Sequence, residues 1–245
     1  LKDGLGGLAF TEHAEWIPED EGYGYLNPQA YFDALASLRQ AWADRSQHGQ
    51  RLTLLAGLEL GNPHEFPQEV SEILASWPWD IALGSLHWVD GKLGCTSVAF
   101  EGGLELFYQR YFEELAVMVA EAEYDILGHL DIVRRDSWMV CQRILPLEPY
   151  ADLIRQVLRI VIERGKGIEV NTSGWRKGMA VPLPELKVLQ WYRELGAELL
   201  VFGSDGHAAG QIAWRFDRAR ELALEAGFTR LPRFERRRIV DWMVL

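Results

Sequence analysis

Six short apolar runs recur along the chain, and polar residues scarcely interrupt them. They lie at residues 5–10, 52–60, 80–86, 124–130, 167–171 and 198–204. Nearly continuous hydrophobicity of this length is typical of strands that are covered on both faces, as in a parallel sheet. The pattern therefore predicts six buried strands.

Helical spacing of apolar residues fills most of the intervals between these runs. Pro28 follows Asn27 as a cap and first-turn pair, which predicts a helix that extends towards His48. Further apolar stripes with helical spacing lie at residues 104–122, 153–161, 186–195 and 208–226. Alternating strands and helices predict repeated βα units, either closed into a barrel or arranged as an open doubly wound sheet.

The two ends of the chain and the lack of internal breaks bear on domain organisation. No linker-like block rich in Pro, Gly or Ser divides the βα units, so we expect residues 1–245 to form one domain. The segment 230–245 predicts a short terminal strand whose arginines lie on a solvated face. At the other end, LKDGLG (1–6) resembles the end of a helix with a glycine cap, so we expect residues upstream of Leu1.

Composition excludes several partners. The 245 residues carry 25 Lys and Arg against 36 Asp and Glu, a formal net charge of −11, which argues against nucleic-acid binding. No run of about 18 apolar residues occurs, so we expect no membrane partner. Cys95 and Cys141 form no CxxC pattern, and we interpret them as free thiols in a reducing compartment, the cytoplasm.

Each predicted strand is followed by polar side chains, most of them of types that bind metals. Because the carboxyl ends of the strands of a parallel barrel lie on one face, these side chains are expected to converge there. Histidine and carboxylate without cysteine suit zinc, manganese or iron in a hydrolytic site better than a closed structural zinc. The strand-end residues are His13, Glu59, His87, His129, Asn171, Asp205 and His207.

A single histidine at a strand end is more often a hydrogen-bonded structural residue than a ligand. We take that interpretation for His48, which precedes a glycine at a helix end, and favour it for His64 in GNPHEFP. However, four of the six histidines each follow a different predicted strand. This combination, rather than any one histidine, predicts the metal site.

The strand-end segments resemble, in chain order, the motifs of the PHP (polymerase and histidinol phosphatase) superfamily. Within it, the chain is similar to the histidinol-phosphate phosphatases. The resemblance implies a distorted α/β barrel of the (β/α)7 type, up to three divalent metal ions, and hydrolysis of a phosphomonoester. The segments are TEH at 11–13, GLELGNPHE at 57–65, WDIALGSLHW at 79–88, DILGHLD at 125–131, NTSGWRKG at 171–178 and GSDGH at 203–207.

The resemblance also implies roles for single residues. The metal ligands are expected to be His13, Glu59, His87, His129, Asp205 and His207. Glu59 would bridge two ions and share one of them with His87 and His129, His13 and His207 would hold another, and Asp205 the remaining one. Asp205 or His207 would assist proton transfer to the leaving alkoxide.

Three further residues have implied roles around the ligands. Arg176 resembles the phosphate-binding arginine of the family, since a guanidinium matches phosphate geometry, although a surface charge is the competing interpretation. Glu12 would support the ligands from behind, and Asp131 would either orient a ligand in the same way or form a salt bridge nearby, with the structural role favoured. An acidic stretch follows His13 and would either attract an ammonium-bearing substrate or be a solvated loop; it comprises Glu15, Glu19, Asp20 and Glu21.

One part of the family pattern is missing. The first strand, with its His-x-His motif, and a further His ligand in the loop after it do not occur in this sequence. We expect them to lie upstream of Leu1, in which case residues 1–245 would be an N-terminally incomplete domain. Without them, only Glu59, His87 and His129 make up a whole ligand set.

The sequence therefore predicts a metal-dependent phosphatase of a small-molecule phosphate ester, with L-histidinol phosphate in histidine biosynthesis as the substrate. One alternative is another PHP phosphoesterase, such as a nuclease, a phosphotyrosine phosphatase or a nucleotide phosphatase. The other is a non-catalytic remnant that binds metal without turnover, which the missing His-x-His motif favours.

Overall fold

The computed structural model describes residues 5–45 and 52–245, so His48 and residues 1–4 lie outside the described part. The helices are α1 (Pro28–Arg45), α2 (Pro67–Ser76), α3 (Leu104–Glu121), α4 (Ile132–Cys141), α5 (Ala151–Glu163), α6 (Ser173–Arg176), α7 (Leu186–Glu194) and α8 (Phe216–Glu225). The strands are β1 (Gly7–Ala14), β2 (Thr53–Gly61), β3 (Ile81–Ser85), β4 (Trp88–Val89), β5 (Lys92–Leu93), β6 (Ile126–Leu127), β7 (Gly167–Asn171), β8 (Leu200–Gly203), β9 (Arg230–Glu235) and β10 (Arg238–Val244).

Six parallel strands form one sheet in the order β1-β2-β3-β6-β7-β8. Each contains residues of one of the six predicted apolar runs, and the strand order follows the chain order without a reversal. A doubly wound sheet reverses its order at a switch point, so this arrangement excludes it. The sheet curls into a half-barrel, and the prediction of a distorted TIM-like α/β barrel is confirmed.

The helices cover the outer face of the sheet with apolar side chains at helical spacing. On α5, Ile154, Val157, Leu158 and Val161 are fully buried, because residues three and four apart share a face of a helix. They belong to a large core cluster with apolar residues of α3, α7 and the strands. No described helix is both long and apolar enough to cross a membrane. That residues 1–245 form one domain stays a prediction.

The C-terminal hairpin, β9 and β10, caps the amino-terminal ends of the parallel strands. Phe234 of β9 is 6% exposed and packs with Ile81, Leu83 and Ile126. The predicted terminal strand is thus confirmed, but it is two antiparallel strands rather than one.

The expectation that the C-terminal arginines lie on a solvated face is wrong for Arg237. Its guanidinium donates to both carboxylate oxygens of Asp125, at 3.0 and 2.9 Å, and to Glu123 at 2.9 Å. Asp125 Oδ2 also accepts the backbone N–H of Ala82 at 2.9 Å. Because Asp125 is buried before β6, it requires a cation, and the hairpin supplies it. The amino-terminal end of the half-barrel is therefore closed, and polar chemistry is left to the opposite end.

Candidate active site

Glu59 lies at the centre of the polar side chains at the carboxyl-terminal end of the half-barrel. It is near the end of β2, and the parallel register pairs it with His13 of β1, so both side chains leave the same face of the sheet. His87 and His129 follow β3 and β6, the next two strands in the sheet. Strand order thus brings together four residues that are far apart in the sequence.

The distances around the Glu59 carboxylate are short. The Ser85 hydroxyl donates to Oε1 at 2.8 Å, and Nε2 of His129 lies 2.9 Å from the same oxygen. Nε2 of His87 is 3.4 Å from Oε1, and Nε2 of His13 is 3.7 Å from Oε2. Three imidazoles therefore direct their Nε2 atoms at one carboxylate.

The described residues include two groups whose ligand atoms all lie within 4.8 Å of one another. One comprises Glu59, His87 and His129; the other comprises His13, Glu15 and His87. Imidazole nitrogen and carboxylate oxygen are the ligands that catalytic zinc sites use, and such sites leave a position open for water or substrate. The donor set therefore fits divalent metal ions.

Charge is balanced within this cluster by its own histidines and carboxylates. The hydrogen bond with Glu15, followed by the charge of Glu59, raises the pKa of His13 to about 9. Burial works against the charged form of His87, but Glu15 and Glu59 outweigh it and raise its pKa well above the usual value. Burial likewise opposes ionisation of Glu59, yet the hydrogen bond with His129 and the neighbouring histidines hold its pKa well below the usual range. Because ligand histidines must be neutral, metal binding would release protons here.

Glu15 was not predicted as part of the ligand cluster. The interpretation of residue 15 as part of a substrate-attracting or solvated loop is wrong, because the residue is 6% exposed and contacts His13 and His87. Burial raises the pKa of its carboxyl, but hydrogen bonds with the two histidines outweigh burial and lower it. Further along the acidic stretch, Asp20 accepts a hydrogen bond from Trp88 Nε1 at 2.7 Å.

Asp205 and His207 lie beside this cluster, in the loop after β8. Asp205 adopts a left-handed conformation, with φ of 47°, and its carboxylate forms an ion pair with Arg135. Burial raises the pKa of Asp205, but Arg135 outweighs it and lowers the pKa. The His207 ring is 6.0 Å from the His13 ring, and its side chain is 71% exposed. Both residues therefore lie beside the cluster formed by the other four predicted ligands, with His207 exposed and Asp205 largely buried.

Arg176, at the end of α6, is attached to the same loop. Its Nη1 donates to the carbonyl of Ser204 and its Nη2 to the carbonyl of Asp205. Burial lowers the pKa of Arg176, and the charge of Asp205 opposes that effect. The arginine is thus placed next to Asp205 rather than being a detached surface charge, while its phosphate-binding role stays a prediction.

The structure gives the two residues expected behind the ligands other contacts. Glu12 precedes His13 on β1, so its side chain leaves the opposite face of the sheet, where its charge acts on Tyr31 of α1. Asp131 is fully buried and pairs with Arg134 at 3.3 Å, which is the salt-bridge alternative. Burial raises the pKa of Asp131 to about 6, although the charge of Arg134 opposes the shift.

Three other residues near the site were missed. Arg135 donates to Ser173 at 2.8 Å as well as pairing with Asp205. Asp136, the next residue, is buried, and burial raises its pKa. Glu169 of β7 accepts the backbone N–H of His129 at 2.8 Å. The sequence signal for Arg135 and Asp136 was the RRD triplet at residues 134–136, shortly after the HLD motif. Helical periodicity alone would place such a charged triplet on a solvent-facing surface.

Asn171, the remaining strand-end residue, and His64 both have structural partners. The Asn171 side chain donates to Glu169 at 3.0 Å and accepts the backbone N–H of Ser173 at 2.9 Å. His64 Nε2 lies 2.7 Å from Glu114 of α3, which agrees with the structural interpretation favoured for this histidine.

Comparison with known proteins identifies the family of this chain. The PHP domain model matches residues 1–173. The probable histidinol-phosphatase of Deinococcus radiodurans is 26% identical over 94% of this chain and 85% of that protein. The histidinol-phosphatase of Lactococcus lactis is 24% identical over 96% of this chain and 85% of that protein. A crystal structure of the Lactococcus lactis histidinol phosphate phosphatase, complexed with zinc, L-histidinol and phosphate, has a TM-score of 0.78 at 22% identity and covers 97% of this chain and 88% of that one. The resemblance drawn from the strand-end motifs is confirmed, and the chain belongs to the PHP domain family.

Proposed function

We propose that this protein is a metal-dependent phosphatase that hydrolyses L-histidinol phosphate to L-histidinol and phosphate. The observation that carries the proposal is the convergence of three imidazoles on the buried Glu59 carboxylate at the open end of the half-barrel. Family membership and the histidinol-phosphatase names of the relatives support the substrate assignment. We place the reaction in histidine biosynthesis and in the cytoplasm.

We propose that two or three divalent ions, zinc, manganese or iron, bind at this cluster. When bound, such ions polarise phosphoryl oxygens and lower the pKa of a coordinated water. Glu59 has two carboxylate oxygens facing different histidines, which suits a bridging ligand. The proposed ligands are His13, Glu59, His87, His129, Asp205 and His207.

The substrate phosphoryl group would lie between these ligands and two arginines. Arg176 and Arg135 both contact Asp205, one through its carbonyl and the other through its carboxylate. A guanidinium can donate several N–H groups at once, so each arginine can hold Asp205 and still offer donors to phosphate oxygens.

Hydrolysis joins a water oxygen to phosphorus and breaks the ester bond between phosphorus and the substrate oxygen. The leaving histidinol oxygen then takes up a proton. We propose that Asp205 or His207 assists this transfer, since His207 is exposed at the rim of the cluster, where the organic part of a substrate would enter, and Asp205 lies 3.6 Å from it.

The test is phosphate release from L-histidinol phosphate by protein reloaded with zinc or manganese. Turnover with the metal and loss of turnover after chelation are expected, together with loss of activity in Glu59→Gln. Glu221→Gln, an exposed position on α8, is the matched control and should keep full activity. Activity on aryl phosphates but not on L-histidinol phosphate would refute the substrate assignment. Metal-loaded protein without any phosphatase activity would favour the non-catalytic remnant.

A further inference from the structure

Glu15 is the buried carboxylate of the cluster to which the proposed function gives no role. Oxygen Oε1 lies 3.1 Å from Nδ1 of His13 and 2.9 Å from Nδ1 of His87. Its side chain is 3% exposed. A single carboxylate oxygen therefore contacts the same nitrogen of two different imidazoles, one on β1 and the other directly after β3.

The opposite nitrogens of both rings face the metal-binding carboxylate. Nε2 of His13 is 3.7 Å from Glu59 Oε2, and Nε2 of His87 is 3.4 Å from Glu59 Oε1. An ionised carboxylate only accepts hydrogen bonds, so Nδ1 must carry the proton on each ring. In a neutral imidazole this leaves the lone pair on Nε2, which is the form that binds a metal.

The chain provides space for this carboxylate through two glycines. A Cβ atom on Gly61 would lie 1.7 Å from Glu15 Oε2, and the three nearest atoms all belong to Glu15. A Cβ atom on Gly22 would lie 2.8 Å from Glu15 Cγ. The position of the carboxylate thus depends on the absence of a side chain at Gly61, and that of the Glu15 stem on its absence at Gly22.

We propose that Glu15 is a positioning residue that orients His13 and His87 together, by accepting a hydrogen bond from Nδ1–H of each and so directing both Nε2 atoms towards Glu59. This inference rests on the proposed metal centre and adds a support that the sequence resemblance did not assign. Carboxylates that accept a hydrogen bond from metal-binding histidines raise ligand basicity and fix ring orientation.

The competing interpretation is that Glu15 is itself a ligand, since it forms a group with His13 and His87. The separations of 2.9 and 3.1 Å match hydrogen bonds. Ligation by Glu15 would also have to use Nδ1 of both rings, whereas Nε2 of each ring faces Glu59, the carboxylate that we propose as their shared ligand. The two interpretations also differ in the number of ions that the protein holds when zinc is saturating.

The experiment measures zinc affinity and stoichiometry by competition with a chelator in the full chain and in two variants. Glu15→Gln keeps the shape but removes the charge, and Gly61→Ala keeps the carboxylate but displaces it. Both are expected to weaken zinc binding about 10- to 100-fold while the number of ions at saturation stays that of the unmodified protein. The control Glu221→Gln should bind zinc as the unmodified protein does. Circular dichroism checks that each variant is folded. If Glu15→Gln does not fold, the Gly61→Ala variant still tests the inference.

A second measurement does not depend on activity. In zinc-loaded protein labelled with nitrogen-15 at histidine, His13 and His87 are expected to show Nδ1–H protons that resonate downfield and that Glu15→Gln shifts. Loss of one bound ion at saturating zinc in Glu15→Gln would make Glu15 a ligand and overturn the inference. Unchanged affinity and unchanged Nδ1–H signals would overturn it as well. Absence of zinc binding by the unmodified protein would instead refute the proposed function, which separates the two failures.

Discussion

The role of Arg176 is open to a direct test by Arg176→Lys, which keeps the positive charge and removes the planar fork of donors. In the structure, Nη1 and Nη2 each donate to one carbonyl of the loop that carries Asp205. A guanidinium has five N–H donors, so about three stay for phosphate oxygens. A lysine ammonium concentrates its donors at one point and cannot serve the two loop carbonyls and a phosphate together.

The size of the expected effect follows from the loss of one hydrogen bond between a cation and a phosphate oxygen. Such a bond contributes about 1.5–3 kcal/mol. Since about 1.4 kcal/mol corresponds to a factor of ten, KM for L-histidinol phosphate should rise roughly 10- to 150-fold. The inhibition constant of inorganic phosphate should rise by a similar factor, because product and substrate present the same oxygens.

The assay is steady-state phosphate release with inorganic phosphate as inhibitor, and zinc affinity is measured on the same preparations. Arg159→Lys, at an exposed position on α5, is the matched control and should leave every constant unchanged. Unchanged KM and unchanged inhibition by phosphate in Arg176→Lys would refute a phosphate contact. If KM and inhibition by phosphate were unchanged but the affinity for zinc fell, Arg176 would act only by holding the loop that carries Asp205.

Two further predictions concern stability. Phe234→Ala removes the buried ring at the closed end of the half-barrel and should lower the free energy of unfolding by about 3–5 kcal/mol, or the thermal unfolding temperature by roughly 6–20 °C. Val240→Ala, at an exposed position on β10, is the control and should have little effect. Equal shifts of the unfolding temperature in the two variants would contradict the packing role of Phe234. Asp131 has a folded pKa of about 6 against an ordinary value of 3.8, so the folded state binds more protons between these values and the unfolding free energy falls as pH rises through this range. Asp131→Asn should remove that fall, so its free energy of unfolding should exceed that of the unmodified protein by about 1–3 kcal/mol at pH 7 but not at pH 3.5. Denaturant unfolding at the two pH values measures this difference. If the free energies of the two proteins changed with pH in parallel, the linkage would be disproved.

The sheet could be predicted because its inner strands, such as β3 and β7, are buried along their whole length, so hydrophobicity marks them regardless of tertiary detail. The edge strands β1 and β8 are mostly half-buried, yet they are apolar enough to show the same pattern. The run at 52–60 corresponds closely to β2, from Thr53 to Gly61. By contrast, the run at 124–130 contains only Ile126 and Leu127 in strand pairing, and His129 begins the turn that leads to α4. Apolar runs therefore locate buried backbone, but they do not show where hydrogen bonding between strands stops.

The histidines could be predicted for a similar reason, since a parallel sheet gathers its carboxyl-terminal ends whatever the helices do. His13, His87 and His129 needed only the correct strand order to meet at Glu59. Arg237 could not be placed in this way, because its partner Asp125 lies 112 residues away in the sequence, just before β6, and no strand-end pattern links the two. Charge alone made a solvated surface the better expectation for it.

Glu15 shows most clearly what a sequence pattern leaves out. Its spacing of two from His13 places both side chains on one face of an extended segment, and that much was available from the sequence. Its burial depends on Gly61, a residue of the neighbouring strand whose missing side chain makes room for the carboxylate. A charged residue in a stretch with Glu19, Asp20 and Glu21 looks solvated until that space is known. The chemistry at the open end of the half-barrel therefore depends on residues that supply space as well as on residues that supply ligands, and only a three-dimensional structure reveals the former.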